Sequence, residues 1–275
     1  MSTTPPPSHA ELTAALSEQW DALARLVADL DEKGWRTPTS LPGWTVFDVI
    51  AHVVGTESML LGTPPPRVDA DVRGFEHVRN EIGALNETEI ESRRGRSGAE
   101  LLAEFREVTD RRRKALAETS TDAWATLTES PVGTVPYGRF MQVRLFDCWM
   151  HEHDIADALG VTVDEGGPRA EFAFAELVPT IGRAVVKKAQ APDGSRLTIS
   201  LTGPVTRQLH IVVDGRAELV DALDGPATVT IELPSGLFAR LRGGRTSADA
   251  HLDEFTIVGD KVLGDRLIRG LAFTI

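Results

Sequence analysis

The period of the hydrophobic pattern changes once along this chain, and that change constrains the fold more than any single motif. In the first part, Leu12, Leu16, Trp20, Leu23, Val27 and Leu30 recur at steps of three and four, which makes one apolar stripe on a helix. Beyond Pro192 the step falls to two, in Leu197-Thr-Ile-Ser-Leu201 and again in Leu209-His-Ile-Val-Val213, the alternation of half-buried strands. A pattern of one period cannot bury itself in the other geometry. The chain is therefore expected to fold as a mainly α N-terminal four-helix bundle over residues 8–162, followed by a smaller α+β domain with an antiparallel sheet over residues 168–275. Asp164-Glu-Gly-Gly-Pro168 reads as the linker between them.

Punctuation along the bundle supports this division. Gly34, Pro38 and Pro42-Gly43 close the first helix and form a loop. Thr45-Val-Phe-Asp48 has the form of a capping box, and the helix it opens carries Val49, His52, Val53 and Met59 before Gly62 and three prolines. A polar stretch near 78–90 reads as helical. After Ser97-Gly98, Leu101, Phe105, Val108 and Leu116 share a face with Arg112. The last bundle helix runs from Tyr137 to Leu159 and stops at Gly160. In the second part a helix is expected over 169–189, a hairpin at Asp214-Gly215, a strand over Ala227–Leu233, and helical pieces over 235–242 and 261–271.

The formal net charge of −12 argues against non-specific nucleic-acid binding and for a small-molecule or protein partner. No stretch reaches the roughly 20 apolar residues of a membrane span. Met1 to Ser8 has neither the basic nor the apolar region of a secretory signal and is read as a lead-in. A single cysteine, Cys148, allows no intrachain disulfide, so a reducing, cytoplasmic home is expected, for a monomer or homodimer.

One row of residues on the last bundle helix carries chemistry. Arg144, Asp147, His151 and Asp154 fall on one face at steps of three and four, where a bundle helix should bury apolar groups. Burying them is costly unless something pairs them, and a divalent metal held by Asp147 and His151 is one such partner. His52 sits among Val49, Ile50 and Val53 on an inward face, with Asp48 one turn earlier placed to orient its ring. Together His52, Asp147 and His151 make a two-histidine, one-carboxylate set with coordination positions left over, as catalytic sites require. Each part also has a plainer reading. His52 alone reads equally as a satisfied core histidine, and Asp147 with His151 as a helix-surface ion pair. His153 projects away from His151 and is expected to face solvent, and Cys148 to pack.

Leu41-Pro-Gly-Trp44-Thr45-Val-Phe-Asp48-Val-Ile-Ala-His52 resembles the second-helix motif of DinB-like bundles, most closely in the mycothiol-dependent maleylpyruvate isomerase family. Arg79-Asn80-Glu-Ile-Gly83-Ala-Leu-Asn86-Glu87 and the run from Gln142 to Asp154 resemble its actinobacterial branch. The resemblance implies a zinc-type divalent ion on His52, Asp147 and His151, with mycothiol as the thiol cofactor at the open position. Asp147 stands where the isomerase itself carries a glutamate, and the shorter reach leaves that particular isomerisation open. Ser235 to Arg245, with Val258-Gly-Asp260 and Asp265-Arg-Leu, resembles the family's C-terminal domain, akin to sterol-carrier folds. There a C-terminal arginine binds anionic substrate, which makes Arg240, Arg242 and Arg245 candidates. Arg144 is a further candidate for catalysis, and Glu57 and Asn80 for cofactor binding. The expected activity is a metal-dependent, mycothiol-using S-transferase or isomerase acting on a small electrophile. A thiol-independent metal hydrolase and a non-catalytic lipid-binding or small-molecule-binding protein are the alternatives.

Overall fold

Three of the bundle helices start on capping boxes, in which a serine or threonine side chain accepts from a backbone N–H three residues on and an acid there reaches back. Ser8 with Glu11 opens α1 (His9–Val27), Thr45 with Asp48 opens α3 (Val46–Leu60), and Ser97 with Glu100 opens α5 (Gly98–Glu118). These belong to a computed structural model that describes residues 8–273, in two compact units that divide between Val163 and Asp164.

Between α1 and α3 lies a short helix α2 (Glu32–Trp35). A single 3-10 turn (Val72–Gly74) then leads to α4 (Glu81–Glu91) ahead of α5. A short α6 (Thr121–Ala125) and a hairpin of β1 (Leu127–Ser130) and β2 (Gly133–Pro136) precede the longest helix, α7 (Tyr137–Leu159). Helix α7 ends at Gly160 in the left-handed conformation, φ 66°. The four long helices form the expected bundle: α1 packs along α5 and α7, and α3 packs against α4, α5 and α7. Helix α3 is surrounded, and every residue from Val46 to Ser58 is buried. That position decides the site, because any polar side chain on α3 must find its partner inside the protein. The β1–β2 hairpin was not expected; it is short and largely exposed, so it leaves little hydrophobic signal.

The second unit holds α8 (Gly167–Leu177), α9 (Ile181–Arg183) with a π-type turn after it (Ala184–Lys188), and α10 (Ser235–Arg242) and α11 (Lys261–Arg269). Its sheet comprises β3 (Arg196–Thr202), β4 (Arg207–Asp214), β5 (Arg216–Val220), β6 (Val229–Pro234) and β7 (Thr256–Gly259), in the order β5-β4-β3-β6-β7. The β3–β4, β4–β5 and β6–β7 pairs are antiparallel, as expected, while β6 returns to lie parallel to β3. The helix expected over 169–189 is interrupted after Leu177, where Pro179 offers no N–H to continue the ladder.

Candidate metal centre

His52 on α3 and Asp147 and His151 on α7 meet in the bundle. One ligand atom from each lies within 4.8 Å of the others, in the arrangement a single ion needs. His52 Nε2 is 3.2 Å and His151 Nε2 3.6 Å from the same oxygen, Asp147 Oδ2. The histidine side chains are 6% exposed, whereas 34% of the Asp147 side chain reaches solvent, so the cluster is buried on the imidazole side and open beside the carboxylate.

The protonation pattern tests whether a cation fits. His151 Nδ1 lies 2.9 Å from Asp154 Oδ2, and an ionised carboxylate can only accept, so the proton sits on Nδ1. In the neutral ring Nε2 is then a lone pair aimed at the Asp147 carboxylate. Two acceptors face each other, an arrangement that needs either a second proton on the ring or a cation between them. The donor set, two imidazoles and one carboxylate, suits zinc or a similar divalent ion.

Burial lowers the pKa of His52 below the ordinary histidine range despite the opposing pull of Asp147. Burial on its own would raise the Asp147 pKa, but His151, Arg144 and His52 together hold it well below the usual carboxylate range. Both directions favour the ligand forms, neutral imidazole and ionised carboxylate.

Behind Asp147 stands a buried charge network. Arg144 donates through NH1 to Asp147 Oδ2 at 2.7 Å, and through Nε and NH2 to Glu57 Oε1 at 3.1 and 3.0 Å. The other oxygen of Glu57 accepts from Arg112 Nε at 2.8 Å, and Arg112 also donates to the Tyr137 hydroxyl at 3.1 Å. Glu57 is therefore a partner of two guanidinium groups, and Arg144 aims at the ligand oxygen because Glu57 holds its other edge. Arg112 was legible only as an oddity on an apolar face.

Several expectations change. Asp48 does not orient His52: its Oδ2 accepts from the Thr45 amide and hydroxyl, and its Oδ1 from Arg94 at 3.0 Å. Among the described residues, His52 Nδ1 has no hydrogen-bond partner. His153 does not face solvent. It is 1% exposed, bonded through Nδ1 to the Trp149 carbonyl at 2.7 Å, because α7 is covered on more than one side. Cys148 is buried, and burial pushes its thiol pKa up, which suits a packing role and not a nucleophile.

The other candidates have partners of their own. Asn80 is exposed and caps α4, accepting from the Gly83 amide. In the second unit, Arg242 is fully buried and donates to the carbonyls of Leu177 and Leu271, and burial pulls its pKa down to about 10. Arg240 pairs with Glu165, and Arg245 donates to the Gly243 carbonyl. Trp44, part of the 41–52 motif but without a role assigned from it, has its ring 5.3 Å from that of His52 and 6.1 Å from that of His151, tilted 37° to each. Its place in the turn before the capping box was the available signal.

The profile of the mycothiol maleylpyruvate isomerase N-terminal domain matches residues 16–156, a span that contains all three ligand candidates. The chain belongs to the mycothiol maleylpyruvate isomerase family. Two uncharacterized proteins from strains of Mycobacterium tuberculosis are each 30% identical to it over 153 residues, 54% of this chain and 56% of theirs. The chain thus spans about half the length of the curated relatives it matches. The crystal structure of the mycothiol-dependent maleylpyruvate isomerase aligns over 94% of this chain and 95% of its own, with 21% identity and a TM-score of 0.61. A histidine-to-alanine mutant of that isomerase aligns over the same shares, with a TM-score of 0.60. At this identity the likeness is one of fold. Among the described residues no helix is long and apolar enough to cross a membrane.

Proposed function

We propose that this protein is a metal-dependent enzyme that uses mycothiol on a small electrophilic substrate, as an S-transferase or as an isomerase of the maleylpyruvate type. The observation that carries this reading is the convergence of His52 Nε2, Asp147 Oδ2 and His151 Nε2. Family membership supplies the thiol. A divalent ion on these three residues, zinc in the first instance, would supply the positive charge that keeps a thiol ionised at neutral pH.

The protein's own groups do the rest. Asp154 holds the His151 proton on Nδ1 and so presents Nε2 to the site. Arg144 keeps Asp147 ionised and fixes its orientation, and Glu57, itself braced by Arg112, keeps Arg144 in place. The exposed edge of Asp147 marks the side from which thiol and electrophile enter. Asn80 is committed to its helix cap and Arg242 to backbone carbonyls, so neither is given a part in the chemistry.

Calorimetric titration of the zinc-loaded protein with mycothiol, beside the His151→Ala variant, tests this reading. Saturable binding that disappears in the variant is expected. A zinc-loaded protein that binds no thiol would sink the mechanism and favour a hydrolase acting on the same three ligands.

A further inference from the structure

We propose that Trp44 positions the ligand entering the open side of the His52–Asp147–His151 centre, and that it favours a ligand with a flat unsaturated group within reach of the indole when its donor atom is held there. This rests on the metal reading above and goes beyond it to the shape of what the site takes.

Three sets of contacts fix the indole. Its Nε1–H donates to Glu87 Oε2 at 3.0 Å, and Glu87 is itself buried, with the same oxygen 2.9 Å from His77 Nε2 and its other oxygen 2.6 Å from Arg94. The Trp44 carbonyl accepts from both the amide and the hydroxyl of Thr39, and its amide donates to the Leu41 carbonyl, so the turn is tied at both ends. Gly43 lies against the His77 ring at a φ of +80°, where a Cβ would come within 2.5 Å of Nδ1. The turn and the 72–80 segment are thereby locked together.

The consequence is chemical. The one polar atom of the indole is spent on Glu87. What Trp44 offers to the site is a flat face without a donor. That ring lies against both candidate histidine ligands and is only partly buried, as is Asp147, so these two residues form the partly exposed side of the cluster. A group held at the three ligands has this face beside it. A planar conjugated group can lie against it, and a puckered saturated ring of the same size cannot make the same contact.

The test uses the full-length protein loaded with cobalt(II) and two thiols of similar size, benzenethiol and cyclohexanethiol, titrated by their absorption changes. Their intrinsic difference in acidity cancels when the ratio of their affinities is compared between variants. Aromatic contacts of this kind predict that Trp44→Leu lowers the preference for benzenethiol by about 3- to 10-fold, while Trp44→Phe stays within about 2-fold of wild type. A Trp44→Leu protein that retains both its cobalt and the wild-type preference would overturn the proposal and leave the metal reading intact. A wild-type chain that takes up no cobalt would overturn both. If the leucine variant does not fold, the zinc-loaded wild type decides by NMR. The Trp44 indole resonance, assigned by its absence from Trp44→Phe, should shift with benzenethiol and not with cyclohexanethiol, and an unmoved resonance overturns the proposal.

Discussion

Asp154 accepts the Nδ1 proton of His151 at 2.9 Å, and the opposite nitrogen of the same ring faces Asp147 at 3.6 Å. The first contact selects the tautomer in which the second becomes a pairing of two acceptors. Asp154 is thus as much a part of the centre as the residues that would touch the ion, though it lies one turn further along α7.

The Asp154→Asn variant keeps the shape of the side chain and removes its charge. It can no longer fix the proton on Nδ1 so firmly or make the imidazole as strong a donor. Zinc affinity, measured by competition with a chromophoric chelator, should fall about 10- to 100-fold. An unchanged affinity would mean that the ring is held by packing alone.

His52 and His151 should behave differently from His153, although all three are buried. Alanine at either of the first two should abolish stoichiometric zinc. His153→Ala should retain its zinc and lose stability by about 1–3 kcal/mol, because the Trp149 carbonyl loses a buried donor. Metal analysis and denaturant unfolding of the three variants check this. Zinc loss in His153→Ala would require a different assignment of the helix face.

What was legible in the sequence followed the reach of each signal. The capping box at Thr45 and Asp48 and the glycine stop at Gly160 are local, and both lie where spacing put them. The Asp147 and His151 pair is also local, since steps of four place two residues on one face of any helix. His153 shows the limit: periodicity identifies the most apolar face of a helix but not how many neighbours cover the others. Asp48 shows another. It lies one turn from His52, yet Arg94, distant in sequence, claims its free oxygen. Alternation within β3 and β6 marked both as strands, but parallel and antiparallel strands share that alternation, so the pairing direction was not readable.

Glu57 is predicted to be the most sensitive residue of the bundle outside the ligands. It is fully buried, and its removal takes from Arg112 the carboxylate it pairs with and leaves Arg144 only Asp147. Breaking such a pair costs about 3–5 kcal/mol. Chemical denaturation of Glu57→Ala should show a loss of that order, and a loss below about 1 kcal/mol would mean that water or a rearranged carboxylate replaces it.

Cys148 should resist alkylation in the folded protein. Its thiol is buried and its pKa raised by that burial, so the thiolate that iodoacetamide needs is scarce at pH 8. Labelling should appear only with unfolding, which makes it a probe of bundle opening. Rapid labelling under native conditions would contradict the packing described.

Zinc itself should stabilise the chain, for a reason visible in the geometry of the three ligand residues. Asp147 Oδ2 faces two imidazole nitrogens and can take a proton-mediated contact from His52, but with the Nδ1 proton held by Asp154 a neutral His151 ring would turn only a lone pair to it. A cation binding there converts that opposition into attraction, whereas the unfolded chain has no such cluster to bind. At a free zinc concentration 100 times the dissociation constant, linkage adds about 2.7 kcal/mol. At about 2–4 °C per kcal/mol, that raises the melting temperature of a unit this size by roughly 5–11 °C. Asp147→Asn separates this effect from non-specific binding. It keeps a side chain of the same size and removes the charge, so the zinc-dependent shift should largely disappear. A shift of wild-type size in that variant would place the ion elsewhere on the protein.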